Sequence, residues 1–494
     1  MATSLLALLV IPGVFVLFGL WLWKVNRGIT IVPPEALAMS PNRWDPAEIR
    51  RVAAEVKKVP LDTLPFLPPS TGRRYVLVGG SGLVGGWIIR HLIARGEDPK
   101  NIRIVDIRRP TRQDIHANQV DFISADVREP ESLRTAFAAE WPEGSSTKKG
   151  ITVFHTIALL RYYERHQSFI PRSSVVNVDG TANVLAAAKN AGADIFIYTS
   201  SASIPIQRTN FWVYPWQTHP KTMVQIINDA TSCPSRHDEF ISNYAYTKHL
   251  AEDLVRQAHD PENDFRTGCL RPGSPIYGPG GDLCAGAYLL RSVNPSHVYF
   301  SWVHPIIQSM IYVENVSYAH LLYESRLLET QSALPTSALH RLGGQAYSIT
   351  DPGNPISYGD LYLALSTLTD DKVQFPKLPA GLMLVIATLV EAYYIFQARF
   401  PRYLPPITGD IVNLQPSLFD LASVHLKIDD ARARLAPEDG GLGYRPPWTT
   451  VQGVCQLVND HLKGAAHSEE YQKTNGGIGF KFPSRSAAKK ESAV

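Results

Sequence analysis

A short apolar run, Tyr75-Val76-Leu77-Val78, gives way to Gly79-Gly80-Ser81-Gly82 and resumes as Leu83-Val84-Gly85-Gly86-Trp87-Ile88-Ile89-Arg90-His91-Leu92. The run reads as a buried strand, and the apolar spacing after Gly82 reads as a helix. Strand, glycine turn and helix in that order constrain the chain more than any other feature. They set a strand end against a helix N-terminus, where unpaired N–H groups and the helix dipole favour a phosphate. Gly79 permits the tight turn, Gly82 lets backbone approach a pyrophosphate, and Gly85 lets the helix pack close to the sheet. Leu83 and Val84 begin the helix and belong to the same phosphate cradle. Alone, such a loop is also compatible with an ordinary turn.

A second strand, Asn101 to Asp106, ends in a carboxylate 21 residues beyond Gly85. An acid there can accept hydrogen bonds from the adenosine ribose. It repels the 2′-phosphate of NADP, so NAD is the expected cofactor, although Arg108 and Arg109 lie close enough to neutralise such a phosphate. The structural alternative for Asp106 is a solvated acid at a strand end.

The strand-helix alternation continues. Strands are expected at Val120–Ser124, followed by Asp126 and Val127, and at Ile151–His155, followed by the small Thr156-Ile157-Ala158 where a cofactor can pass. Others are expected at Asp194–Tyr198 and Phe265–Leu270, with helices at Ser174–Ala191 and Tyr246–Gln257. The expected fold is α/β: a Rossmann-type parallel sheet with helices on both faces and a smaller C-terminal substrate lobe, preceded by one N-terminal transmembrane helix. The expected divisions are an anchor (1–27), a proline-rich linker (28–72) and an NAD-binding domain (73–270) with an irregular substrate-side insertion (201–243). A substrate lobe (271–463) and a polar, disordered tail (464–494) follow. Phe211, Trp212, Tyr214 and Trp216 form either an aromatic wall over the substrate or a packed surface loop.

Ser4 to Trp23 carries no charged side chain across 20 residues, long enough to span a bilayer. Trp21 and Trp23 fall where an interfacial aromatic belt belongs, and the start lacks the basic region of a cleaved signal peptide. Lys24, Arg27, Arg43, Arg50 and Arg51 follow the run, so the positive-inside rule leaves the rest of the chain in the cytosol. Gly381 to Phe396 is a shorter apolar run holding Glu391. It reads as a helix buried in the lobe or resting on the membrane near a substrate entrance, with a second span as the minor alternative. The net charge of +3 implies no nucleic-acid partner. Cys233, Cys269, Cys284 and Cys455 form no metal-binding pattern, and no metal is expected.

Tyr244 and Lys248 lie four residues apart at a helix start, on one face. A nearby ammonium lowers a phenol's pKa, so Tyr244 can accept the proton of a substrate hydroxyl as hydride leaves. Lys248 can also hold the nicotinamide ribose, and Ser201 can orient the substrate oxygen. The order of glycine loop, acid, serine and YxxxK resembles the extended short-chain dehydrogenase/reductase superfamily over roughly residues 73–460. Tyr198-Thr199-Ser200-Ser201, Leu270-Arg271-Pro272, Ile276-Tyr277-Gly278-Pro279-Gly280 and Tyr312-Val313-Glu314-Asn315-Val316 are most similar to the 3β-hydroxysteroid dehydrogenase family, including the sterol 4α-carboxylate 3-dehydrogenases. The resemblance implies Ser201, Tyr244 and Lys248 as the catalytic set. It implies cofactor contacts from Gly79, Gly82, Gly85, Asp106, Asp126, Val127 and Pro272, the last beside the nicotinamide. It also implies a late membrane-associated segment and frequent homodimers. Val78 departs from the usual Thr, the stretch from 201 to 244 is longer than usual, and Ser200 is an alternative to Ser201.

The expected protein is a single-pass membrane enzyme of the endoplasmic reticulum. It uses NAD to oxidise the 3β-hydroxyl of a sterol or related polycyclic isoprenoid, with loss of a 4α-carboxylate where one is present. The alternatives are a nucleotide-sugar epimerase or dehydratase and a non-catalytic NAD-binding protein.

Overall fold

The computed structural model describes residues 2–110, 115, 119–146, 150–290, 296–334, 337–464 and 479–480. The tail expected to be disordered lies almost wholly outside them. The central sheet has seven strands: β1 (Arg74–Val78), β2 (Ile102–Asp106), β3 (Asp121–Ser124), β4 (Ile151–His155), β5 (Ile195–Thr199), β6 (Arg266–Pro272) and β7 (Ala346–Ile349). Their order is β7-β6-β5-β4-β1-β2-β3, and every pairing is parallel.

The helices that follow follow from side-chain alternation. Val76 and Val78 on β1 join one apolar cluster, Tyr75 and Leu77 another, because successive side chains leave a strand on opposite faces. The first face is covered by α3 (Gly180–Asn190) and α4 (Asn243–Gln257), through Val184, Ala188, Ala251 and Val255. The second is covered by α2 (Leu83–Ala94) and α5 (Val313–Ser332), through Ile88, Leu92, Val316 and Leu327. Strand order runs outward from β1 in both directions, so the C-terminal ends of β1 and β4 flank the crevice where such sheets bind ligands.

β7 comes from the stretch that the sequence assigns to the second lobe. The irregular stretch 201–243 also contributes a strand, Val224–Ile227. It pairs with His425–Ile428 in a small sheet that also holds Ile307–Gln308 and Ile356–Ser357.

At the N-terminus, α1 runs without a break over Ala2–Thr30. Val14 to Leu17 and Leu20 are exposed, whereas Val25 and Ile29 are fully buried in the lobe's core. The proline-rich stretch that follows is folded onto the body. Arg43 pairs with Asp360 at 2.7 Å, and a helix over Pro46–Lys58 seats Val52 and Val56 beside Cys455. A second long apolar helix, α6 (Ala380–Arg399), packs on α1: Gly381 N–H donates to Asn26 Oδ1 at 3.2 Å.

Candidate active site

The glycine turn performs three different tasks in the backbone. Gly79 has φ +91°, and a Cβ there would lie 2.6 Å from Thr156 Oγ1. Gly82 is the N-cap of α2, extended at φ −83° and ψ 179°, with open space on its ligand side and nothing nearer than 3.4 Å. At Gly85 a Cβ would sit 2.3 Å from the Gly79 carbonyl oxygen, so only glycine lets α2 approach the turn this closely. Val78, the departure from the usual Thr, leaves its carbonyl as the polar partner: Thr156 N–H and Oγ1 both donate to Val78 O.

Asp106 ends β2 nearly buried. Its carboxylate accepts from Ser81 N–H at 3.3 Å and Arg108 N–H at 3.2 Å, which fixes it beside the turn. Burial pushes its pKa up, opposed by those backbone donors. Arg109 lies over the Phe122 ring at 4.8 Å. Asp126 is engaged by Arg128, whose hydrogen bond lowers the acid's pKa, and Val127 is packed against Gly180.

Ser242 caps α4 through Ala245 N–H, and the helix carries Tyr244 and Lys248 to the end of β5. Lys248 is buried. Its Nζ donates to Thr199 O at 2.6 Å and stands 4.0 Å from the Tyr198 ring centroid. Burial pulls its pKa down to about 7. Tyr244 and Ser201 both line the cavity, with the serine hydroxyl close enough to favour the phenolate. Burial pushes the phenol up to about 12, and the Ser201 hydroxyl acts in the other direction. The expectation that Lys248 lowers the phenol's pKa is therefore corrected. The ammonium is committed to the Thr199 carbonyl, and Ser201 is the group that favours the phenolate.

The two serines point different ways. Ser201 Oγ bonds Ser203 Oγ at 2.8 Å beside Tyr244, whereas Ser200 Oγ donates to Glu252 Oε2 at 2.6 Å in the interior. Glu252 is fully buried and held by Arg271 through Nε at 2.9 Å and Nη2 at 2.6 Å. Glu252 follows Lys248 by one helical turn, a spacing visible in the sequence that attention to the Tyr-Lys pair alone passes over. Asn177 was also missed. It lies in a π-helical turn, Val175–Asp179, where the expected helix is locally wider. Its side chain accepts from Leu159 N–H at 2.7 Å and donates to Thr247 Oγ1 at 3.0 Å, tying the loop after β4 to α4.

Gly79, Gly82, Leu83, Val84, Asp106, Asp126, Val127, Ala158, Ser201, Tyr244, Lys248 and Pro272 all line one cavity of about 1800 Å³. Gly85 stands behind it, under the turn. The far wall is apolar and aromatic, with Tyr288, Phe300, Trp302, Val303, Tyr362 and Phe375. The aromatic residues expected near 211–216 are not in that wall. Phe211 packs on Phe419 and Trp212 stacks on Trp21 of α1, which settles the choice in favour of a packed loop. The cavity end near α6 includes Tyr394 and Gln397, while Glu391 is held by Arg165 at 2.6 and 2.7 Å.

A family model described as the 3-beta hydroxysteroid dehydrogenase/isomerase family matches residues 76–378. Two Arabidopsis thaliana proteins are similar to the chain. 3beta-hydroxysteroid-dehydrogenase/decarboxylase isoform 2 is 27% identical over 414 residues, covering 81% of this chain and 64% of the relative. Isoform 1 is 26% identical over 406 residues, covering 80% and 81%. Among solved structures, the UDP-glucose 4-epimerase of Thermotoga maritima with UDP-glucose aligns at TM-score 0.52 and 17% identity, over 79% of this chain and 99% of that one. That likeness concerns the fold.

Proposed function

The chain belongs to the 3-beta hydroxysteroid dehydrogenase/isomerase family, and from that premise we propose that it oxidises the 3β-hydroxyl of a sterol or related polycyclic isoprenoid with NAD. The residues present suit that cofactor. The turn at Gly79, the open face of Gly82 and the first N–H groups of α2 would hold the pyrophosphate. Asp106, fixed by two backbone donors, would hold the ribose and disfavour a 2′-phosphate. Bound NAD supplies the hydride acceptor and a positive charge beside the phenol.

The chain's own residues manage the proton. Ser201 orients the substrate oxygen and supports the phenolate; Tyr244 Oη takes the hydroxyl proton; Lys248 holds the end of β5 through Thr199 O and stands ready for the nicotinamide ribose. A carboxylate on the carbon next to the new ketone would leave as CO2, because the carbonyl delocalises the developing carbanion. The observation that carries the reading is that Tyr244, Ser201 and Lys248 line the same cavity as the glycine turn and Asp106. The aromatic far wall suits a polycyclic apolar substrate better than a sugar nucleotide.

The reading includes the membrane. α1 acts as a single-pass anchor with the enzyme on the cytosolic side of the endoplasmic reticulum. Leu382, Leu389 and Phe396, seven residues apart and all exposed, give α6 an apolar outer stripe for the lipid surface. Asn315-Val316-Ser317 is a glycosylation sequon, but it says nothing about orientation, since the Asn315 side chain is buried between Asp351 and Trp448 O.

The test is NADH formation from a 3β-hydroxysterol by the full chain in detergent or vesicles. Turnover is expected, with loss in Tyr244→Phe at retained NAD binding. Equal turnover by Tyr244→Phe would sink the proposed chemistry, and NAD binding without turnover on any sterol would favour a non-catalytic role.

A further inference from the structure

Resting on the reading of α1 as a bilayer span, we propose that the loop 211–217 is a second membrane contact, an aromatic collar seated at the lipid headgroup level where α1 enters the protein. The loop is bolted to the helix. Trp21 Nε1 donates to Val213 O at 2.9 Å, and the Trp21 and Trp212 rings stack at 5.2 Å. Two turns further along α1, roughly 10 Å by helix rise, Gly28 lies 3.1 Å from Thr218 O by its added Cβ, and Gly28 O bonds His219 Nδ1 at 3.2 Å. This is the interval over which α1 changes from exposed apolar residues (Val14–Leu17, Leu20) to buried ones (Val25, Ile29). The collar therefore sits at the level where a bilayer would end.

Two of its side chains face outward. Tyr214 is 53% and Trp216 78% exposed, and their rings stack in parallel with centroids 5.0 Å apart. Trp23 is exposed on the same part of α1, with the Arg27 guanidinium 5.2 Å from its ring centroid. Tyrosine and tryptophan combine an apolar body with a polar edge and concentrate at membrane–water boundaries. Lys24 and Arg27 bring cations to the same stretch of α1, suited to lipid phosphates. The occupant is the interfacial layer of a phospholipid bilayer.

The experiment uses the full-length protein with Cys233→Ser, which removes the half-buried thiol and leaves the three buried ones. An environment-sensitive fluorophore is placed on Phe18→Cys, Tyr214→Cys, Trp216→Cys or Glu131→Cys. Each protein is reconstituted into phosphatidylcholine–phosphatidylserine vesicles carrying a nitroxide either near the acyl carbonyl or deep in the chain, and an unchanged unfolding midpoint verifies the fold. Expected are a fluorescence loss at 18 greatest with the deep nitroxide, a loss at 214 and 216 greatest with the shallow one, and none at 131. Quenching at 18 without quenching at 214 and 216 overturns the collar and leaves the anchor standing. Absence of quenching at 18 overturns the anchor itself. Equal deep quenching at 18 and 216 overturns the headgroup depth assigned to the loop.

Discussion

Substituting Ala at Gly82 and at Gly85 should separate ligand space from packing space in the same turn. At Gly82 the backbone is extended, a conformation alanine adopts freely, and the added methyl meets Gly79 O at an ordinary 3.4 Å. Alanine is a poorer N-cap than glycine, a cost below about 1 kcal/mol. The methyl instead projects into the space assigned to the pyrophosphate, so NAD affinity should fall by about tenfold or more, about 1.4 kcal/mol per factor of ten. At Gly85 the methyl would lie 2.3 Å from Gly79 O, 1.1 Å short of ordinary 3.4 Å contact, and 2.8 Å from Gly80 Cα. Overpacking of that kind costs about 1–3 kcal/mol, and alanine's helix preference returns about 1 kcal/mol. Gly85→Ala should therefore lose up to about 2 kcal/mol of stability and, as α2 retreats, NAD affinity too. Thermal unfolding without NAD, paired with NAD titration by fluorescence, reads both quantities. Full NAD affinity in Gly82→Ala refutes the assignment of the pyrophosphate to this turn.

Other substitutions test the rest of the site. Ser201→Ala should lose turnover with NAD binding retained, whereas Ser200→Ala should keep turnover and lose about 1–2 kcal/mol of stability because Glu252 is left short of a donor; the opposite pattern would exchange the two serines' roles. Glu252→Gln breaks a buried bidentate pair and should cost about 3–5 kcal/mol in chemical denaturation. Lys248 gives up its proton near pH 7 when folded but holds it to about 10.5 when unfolded, so the unfolded chain binds the extra proton between those values. Cofactor-free stability should then rise with pH across that window, and Lys248→Met should flatten the rise. Gly381→Leu should push α6 away from α1, whose Leu22 carbonyl lies 3.0 Å from a Cβ at 381, and appear as faster proteolysis of α6.

The part of the fold written in local pattern was legible. The strands from β1 to β6 are short apolar runs bounded by turns, and the tight turn at Gly79 and close packing at Gly85 follow from glycines set between a strand and a helix. The pieces that escaped depend on distant partners. β7 is four residues, Ala346–Ile349, whose strand character comes from pairing with β6. Val224–Ile227 becomes a strand only beside His425–Ile428, some two hundred residues later. The choice at 211–216 between a cavity wall and a packed loop stayed open in the sequence for the same reason: the cavity's aromatic lining gathers single residues from 288 to 375 by tertiary folding. That Ser201, Tyr244 and Lys248 meet at one cavity was readable from their order, but the direction of the Lys248 ammonium was not, because its partner is a backbone carbonyl on another element.

Because Val25 and Ile29 are part of the lobe's core, the boundary between exposed apolar sequence and core sequence falls inside a single helix. A truncation beginning after Thr30 would remove two core side chains along with the greasy segment and leave an open trough against α6. One beginning near Leu22 would shed the exposed turns while keeping the trough filled, and that shorter cut is the one compatible with a folded lobe.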